Sequence, residues 1–162
     1  MSAHRTVWNM NRIIAPIFLL VSLVSFLTGC ANSSKIMSTG LKIELTEIRQ
    51  TTDGGISVAW HVKNENIVPY LLSRIVHKIH LNGAYLGQLE TNSALAIPAN
   101  TNTGTTTVLS GAGAEASRAV TAAASSGTAS YKVDTKITIL IYGDTTEKAD
   151  LSNSGQVAVK TN

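Results

Sequence analysis

The sequence predicts a mainly β protein, an antiparallel β-sandwich of about seven strands with one short helix. Three observations predict it. From Gly40 onward, apolar and polar residues alternate with a period of two, the pattern of strands buried on one face. Turn-forming clusters (Asp53-Gly54-Gly55, Asn82-Gly83, Pro98-Ala99-Asn100) cut that alternation into short segments. A single alanine-rich stretch interrupts it. Many short strands separated by turns bury their apolar faces by packing sheet on sheet.

Leu41, Ile43 and Leu45 alternate with Lys42, Glu44 and Thr46, and Ile48 then falls out of phase, which predicts a bulge in the first strand. After the 51–55 turn, Ile56, Val58, Trp60 and Val62 alternate with Ser57, Ala59, His61 and Lys63. Trp60 is the largest core anchor of that second strand. Asn64-Glu65-Asn66-Ile67-Val68-Pro69 is a loop, in which Pro69 biases Val68 towards extended geometry. Residues 70–81 form a long strand, and Asn82-Gly83 turns it back into a strand over 84–90, because a type I′ turn needs positive φ at both central positions. The threonine-rich run 103–109 suits another strand. Residues 112–125, rich in alanine, predict a short helix, with an Ala/Gly/Ser loop as the alternative. Alternation returns over 131–142, interrupted by Thr135; 143–155 reads as a polar loop, and 156–160 as a final short strand.

The N-terminus has a different character. His4, Arg5 and Arg12 make a positive start, no acid precedes Cys30, and residues 13–26 are an apolar run. That layout is a secretory signal, too short for a comfortable membrane span of about 20 residues. It ends in Leu27-Thr28-Gly29-Cys30, which resembles the lipobox of bacterial lipoproteins. The resemblance implies cleavage before Cys30, diacylglycerol on its sulfur and acyl chains that hold the protein to a membrane. The chain therefore divides into a leader at 1–29, the lipidated Cys30 and a small polar tether to residue 39, and one β domain at 40–162.

Composition excludes several functional classes. Removing residues 1–29 from 162 leaves 133, and the thirteen basic residues lose Arg5 and Arg12, giving eleven against ten acids and a net charge of +1. A nucleic-acid partner needs a clustered basic surface, and no basic cluster stands out. Cys30 is the only cysteine, so no internal disulfide can form. The mature histidines are His61, His77 and His80; three apart on a strand, His77 and His80 point to opposite faces and cannot pair as ligands. His77 shares its face with Ile75, Ile79 and Leu81 and reads as a sheet histidine. No Gly-x-Ser-x-Gly elbow occurs, and Asp144, Glu147 and Asp150 read as solvated charges. The expectation is no catalytic residue, no metal and no cofactor.

From Trp60 to Gly87 the motifs become specific. Asn64-Glu65-Asn66-Ile67-Val68-Pro69, then a long strand, then Leu81-Asn82-Gly83-Ala84-Tyr85-Leu86-Gly87, resemble the WHy (Water stress and Hypersensitive response) domain shared with late embryogenesis abundant type 2 proteins. Ala96-Ile97-Pro98-Ala99-Asn100-Thr101 and the closing strands resemble the rest of that domain, so the likeness spans most of 41–159. Glu65 stands where the family's loop has its first proline. The resemblance implies a fibronectin type III or immunoglobulin-like sandwich and a non-enzymatic role in water or envelope stress. It makes Asn64, Asn66 and Pro69 the hallmark loop and Asn82-Gly83 the hairpin turn. Asparagine side chains bond nearby backbone, so a structural clasp is the first expectation for that loop and a polar binding edge the second.

Two functions follow. One is a lipid-anchored stress-protection protein that binds membranes or client proteins. The other is an anchored binding module of an envelope assembly, such as a secretion or adhesion system. Ala31, rather than Asp, follows Cys30; in a host with two membranes the lipoprotein resemblance implies the outer membrane, facing the periplasm.

Overall fold

The computed structural model describes residues 39–142 and 145–161. The leader, Cys30 and the tether up to residue 38 lie outside the described residues. The elements are β1 (Leu41–Gln50), β2 (Ile56–Asn64), β3 (Tyr70–Leu81), β4 (Ala84–Thr91), β5 (Leu95–Ile97), β6 (Thr101–Val108), α1 (Ala114–Ala124), β7 (Thr128–Tyr142) and β8 (Thr145–Thr161).

The period-two alternation is realised as burial. β1 buries Leu41, Ile43 and Leu45. The register against β2 then shifts between Leu45 and Glu47, and Ile48 returns to the core, so the bulge lies where the phase breaks. β2 buries Ile56, Val58, Trp60, Val62 and finally Asn64. β3 has its own register shift between Leu72 and Arg74, after which Ile75, His77, Ile79 and Leu81 all face inward.

Strand order departs from the expected antiparallel sandwich. The strands form one hydrogen-bonded path, β4-β3-β7-β8-β1-β2-β6, with β5 paired to β3. Every pairing is antiparallel except β1 with β8, where Glu47–Gln50 runs parallel to Ala158–Thr161. The physical reason lies in β8, whose 17 residues pair with β7 along most of their length and whose end reaches on to β1. One strand thus joins what would otherwise be two separate sheets.

The result is a curled mixed sheet, a half-barrel. β2 and β3 lie four steps apart along the path, about 19 Å in a flat sheet at ~4.8 Å per step. Yet the rings of Trp60 on β2 and His77 on β3 meet edge to face with centroids 4.4 Å apart. The sheet has folded over its own apolar face. A lone bridge from Gln88 to Ser110 brings the β4 edge to the chain just beyond β6.

The alanine-rich stretch is the helix, not the loop alternative. Ala116, Val120 and Ala123 recur at helical spacing and are its buried stripe, which packs on β8, β4 and β1. Glu115 in the first turn complements the helix dipole.

Residues 145–155, expected as a polar loop, belong to β8. Their register with β7 is unbroken from Leu140↔Thr146 to Tyr131↔Gly155. The strand buries only Ala149, Val157 and Val159, so its apolar signal is too weak to show against its polar face. The three-residue β5 was not expected as a strand, since Ala96 and Ile97 read as part of the turn before the threonine-rich strand.

Candidate functional site

β2 ends by turning an asparagine into the core. The inward phase of Ile56, Val58, Trp60 and Val62 continues to Asn64, which is 1% exposed. A buried amide is costly unless bonded, and here its groups are satisfied. Asn64 Nδ2 donates to the carbonyl oxygens of Val68 at 2.9 Å and Pro98 at 3.0 Å, while Oδ1 accepts from the Asn66 amide at 2.9 Å. One side chain therefore closes its own loop and ties it to the β5–β6 turn.

Asn66 extends the clasp towards the N-terminus. Its Nδ2 donates to Thr39 O at 3.0 Å, and its carbonyl accepts from the Asn100 amide at 3.0 Å. The Glu65 amide donates to Gly40 O at 2.8 Å. Gly40 is required there: its φ is +87°, and a Cβ would lie 2.8 Å from Asn66 Oδ1. The loop is thus fastened to the point where the domain meets the tether.

Glu65 has an electrostatic role. Lys63 and Lys42 hold it at 2.8 and 2.9 Å, and their hydrogen bonds draw its carboxyl down to about 2. The side chains of Pro69, Ile67 and Val68 lie on the exposed side of the same loop, and Val68 enters the clasp through its backbone carbonyl.

Asn82 and Gly83 are elsewhere. β3 starts at the clasp and ends at their hairpin, so its full length separates the two motifs. Asn82 has φ 48° and Gly83 φ 84°, both positive as a type I′ turn requires. Asn82 also bonds to the start of β7: its amide donates to Ser130 O, and its Oδ1 accepts from Ser130 N and Oγ, both at 3.0 Å. That second role was not visible in the sequence, because Ser130 is remote along the chain.

His77 is wholly buried, beyond the sheet-histidine expectation. Its Nδ1 lies 2.7 Å from Thr135 Oγ1, directly across the β3–β7 pairing. Nε2 is sealed without a hydrogen-bond partner. Burial pushes its pKa down to about 4. A histidine beside a hydroxyl is the pair that nucleophilic catalysis uses, but here both are closed off from any substrate. His80 faces the other way, its ring 5.3 Å from Tyr85.

The outer face of β3, β7 and β8 carries two adjoining hollows of about 390 and 430 Å³, which share Val76, Lys78, Lys136 and Asp150. Their walls mix amines with carboxylates. Ser152 and Lys132 hydrogen-bond Asp134 and hold its carboxyl below the usual range. Glu147 and Asp150, read as loop charges, stand on β8.

No protein-family model and no curated protein sequence matches the chain. Among solved structures it is similar to a protein from Archaeoglobus fulgidus, at 22% identity over 74% of this chain and 95% of that one, with a TM-score of 0.43. It is similar to a protein from Arabidopsis thaliana at 13% identity, over 75% of this chain and 80% of that one, with a TM-score of 0.49. A candidate late embryogenesis abundant (LEA) protein is similar at 12% identity, over 98% of this chain and 95% of that one, with a TM-score of 0.44.

Proposed function

We propose that this is a non-enzymatic, lipid-anchored cell-envelope protein of the WHy type, which protects membranes or client proteins during water stress. The observation that carries the reading is the Asn64–Pro69 loop. The segment that most resembles the family is held by its own asparagines, and it lies where the chain leads back towards Cys30. The layered, fibronectin type III-like sandwich belongs to the same proposal, supported by the meeting of Trp60 and His77 across the interior. In a host with two membranes the protein sits on the outer one, facing the periplasm.

Drying or freezing a labile enzyme with the mature protein tests the function. Protection should exceed that of an unrelated β protein of equal size, charge and mass concentration, because crowding alone contributes only about 0.2–1 kcal/mol. Protection equal to that control would remove the reading.

One observation favours the anchored binding module instead. β6 ends the strand path, is eight residues long, and carries neither charge nor proline (Thr-Asn-Thr-Gly-Thr-Thr-Thr-Val). Free edges are normally guarded by such residues, and an unguarded edge can accept a partner's strand. A single stoichiometric partner recovered from detergent-solubilised envelope, and lost on Thr105→Pro, would put this reading ahead.

A further inference from the structure

Six large apolar side chains are exposed among the described residues: Ile67, Val68, Leu71, Tyr85, Val108 and Ile141. Scattered singly, such residues are ordinary surface. Four of these six are not scattered. Ile67 and Val68 tip the β2–β3 loop, Leu71 follows at the start of β3, and Leu71 pairs with Leu140 beside Ile141 at the end of β7. All four therefore lie at one end of the sheet. The chain enters the domain at that end, since Thr39 and Gly40 bond to Asn66 and Glu65.

We propose that this end is a second membrane contact, with Ile67 and Val68 lying in the surface of the bilayer that holds the acyl chains of Cys30. The inference rests on the lipid-anchor reading and adds to it the face that meets the lipid. Nine residue steps separate Cys30 from Thr39, a reach of at most about 32 Å at ~3.3–3.6 Å per residue. Confinement within that distance makes contact with lipid effectively intramolecular, so a small apolar tip suffices. The tip is preorganised: Asn64 and Asn66 fix the loop while leaving Ile67 86% and Val68 47% exposed. Docking then costs little further ordering.

The test uses the mature lipoprotein reconstituted into phosphatidylethanolamine–phosphatidylglycerol vesicles. Ile67→Cys and Thr52→Cys are each labelled with an environment-sensitive nitrobenzoxadiazole dye. Acylation leaves Cys30 without a free thiol, so the dye reports only the introduced site. Both positions are exposed, and near-ultraviolet circular dichroism from Trp60 verifies the fold. Thr52 lies in the β1–β2 turn, a full strand length from the loop. Spin-labelled lipid should quench the dye at position 67 several-fold more than at 52, with a blue shift only at 67. Equal quenching at both sites, with Cys30 acylated by mass spectrometry, overturns the docking and leaves the anchor standing. A blue shift at 67 that needs envelope protein and not vesicles overturns it in favour of a protein partner. An unacylated Cys30 overturns the anchor reading and this inference together.

Discussion

Acidification should destabilise this fold through His77. The imidazole is sealed between β2 and β7, edge-on to Trp60, with Nδ1 against Thr135 and Nε2 facing no partner. A second ring proton would put a charge on Nε2, where no group of the fold accepts a hydrogen bond from it. Burial therefore lowers the pKa from 6.5 to about 4. The unfolded chain then takes up the proton first. Stability from this group is complete above about pH 6.5, falls as pH drops from there to about 4, and is constant below that. At about 1.4 kcal/mol per unit, the interval gives a loss of roughly 3 kcal/mol, a large share of a typical 5–15 kcal/mol. Urea denaturation of the mature chain at pH 7, 5.5 and 4.5 measures it directly. His77→Met, neutral at every pH and of similar volume, should flatten the profile over that range. A native-state His77 pKa near 6.5 by NMR, or an unchanged profile in His77→Met, would refute the reasoning.

Three further outcomes are expected. Asn64→Ala should cost about 2–4 kcal/mol in chemical denaturation, because it strands two carbonyls and an amide at a buried position, whereas Asn66→Ala should cost about 1 kcal/mol. Trp60→Ala should cost about 3–5 kcal/mol, since it empties the largest buried side chain; a denaturation midpoint that barely moved would contradict the assigned strand phase. Cys30→Ala should abolish acylation and leave uncleaved precursor or unanchored protein, read by mass spectrometry, while the wild type should fractionate with outer-membrane markers in a two-membrane host.

What was legible in the sequence follows from one-sided burial. β1, β2 and the later part of β3 each have one core face, so alternation marked them and the slip at Ile48 marked a bulge. β8 was illegible over 145–155 because its identity comes from the ladder with β7, which any side chain can join, and not from apolar content. The strand order of the curled sheet was equally hidden. Alternation says which face is inside but not which edge finds which, and the parallel contact of Glu47–Gln50 with Ala158–Thr161 depends on residues more than a hundred positions apart. At the site, Asn64 reads from the sequence as the first residue of a loop, whereas in the structure it ends β2 in the strand's inward phase. Its acceptors on Val68 and Pro98, and the Thr135 partner of His77, depend on tertiary register.

The way the loop is held also explains what it shows to solvent. A loop of this composition could be pinned by burying Ile67 and Val68 beneath the sheet, at a gain of about 1.5–3 kcal/mol per side chain. Here the anchoring is polar. Asn64 and Asn66 reach four backbone groups, Val68 O, Pro98 O, the Asn66 amide and Thr39 O. The Glu65 and Asn100 amides add two backbone bonds to the same fastening. With the loop fixed by amides, its aliphatic residues are not needed inside and remain outside. An exposed isoleucine at the tip of a fixed loop is a persistent apolar surface, available at no cost in unfolding. Replacing the Asn64 clasp by apolar packing would therefore be expected to preserve stability while removing that surface, which separates the loop's contribution to the fold from its contribution to contact.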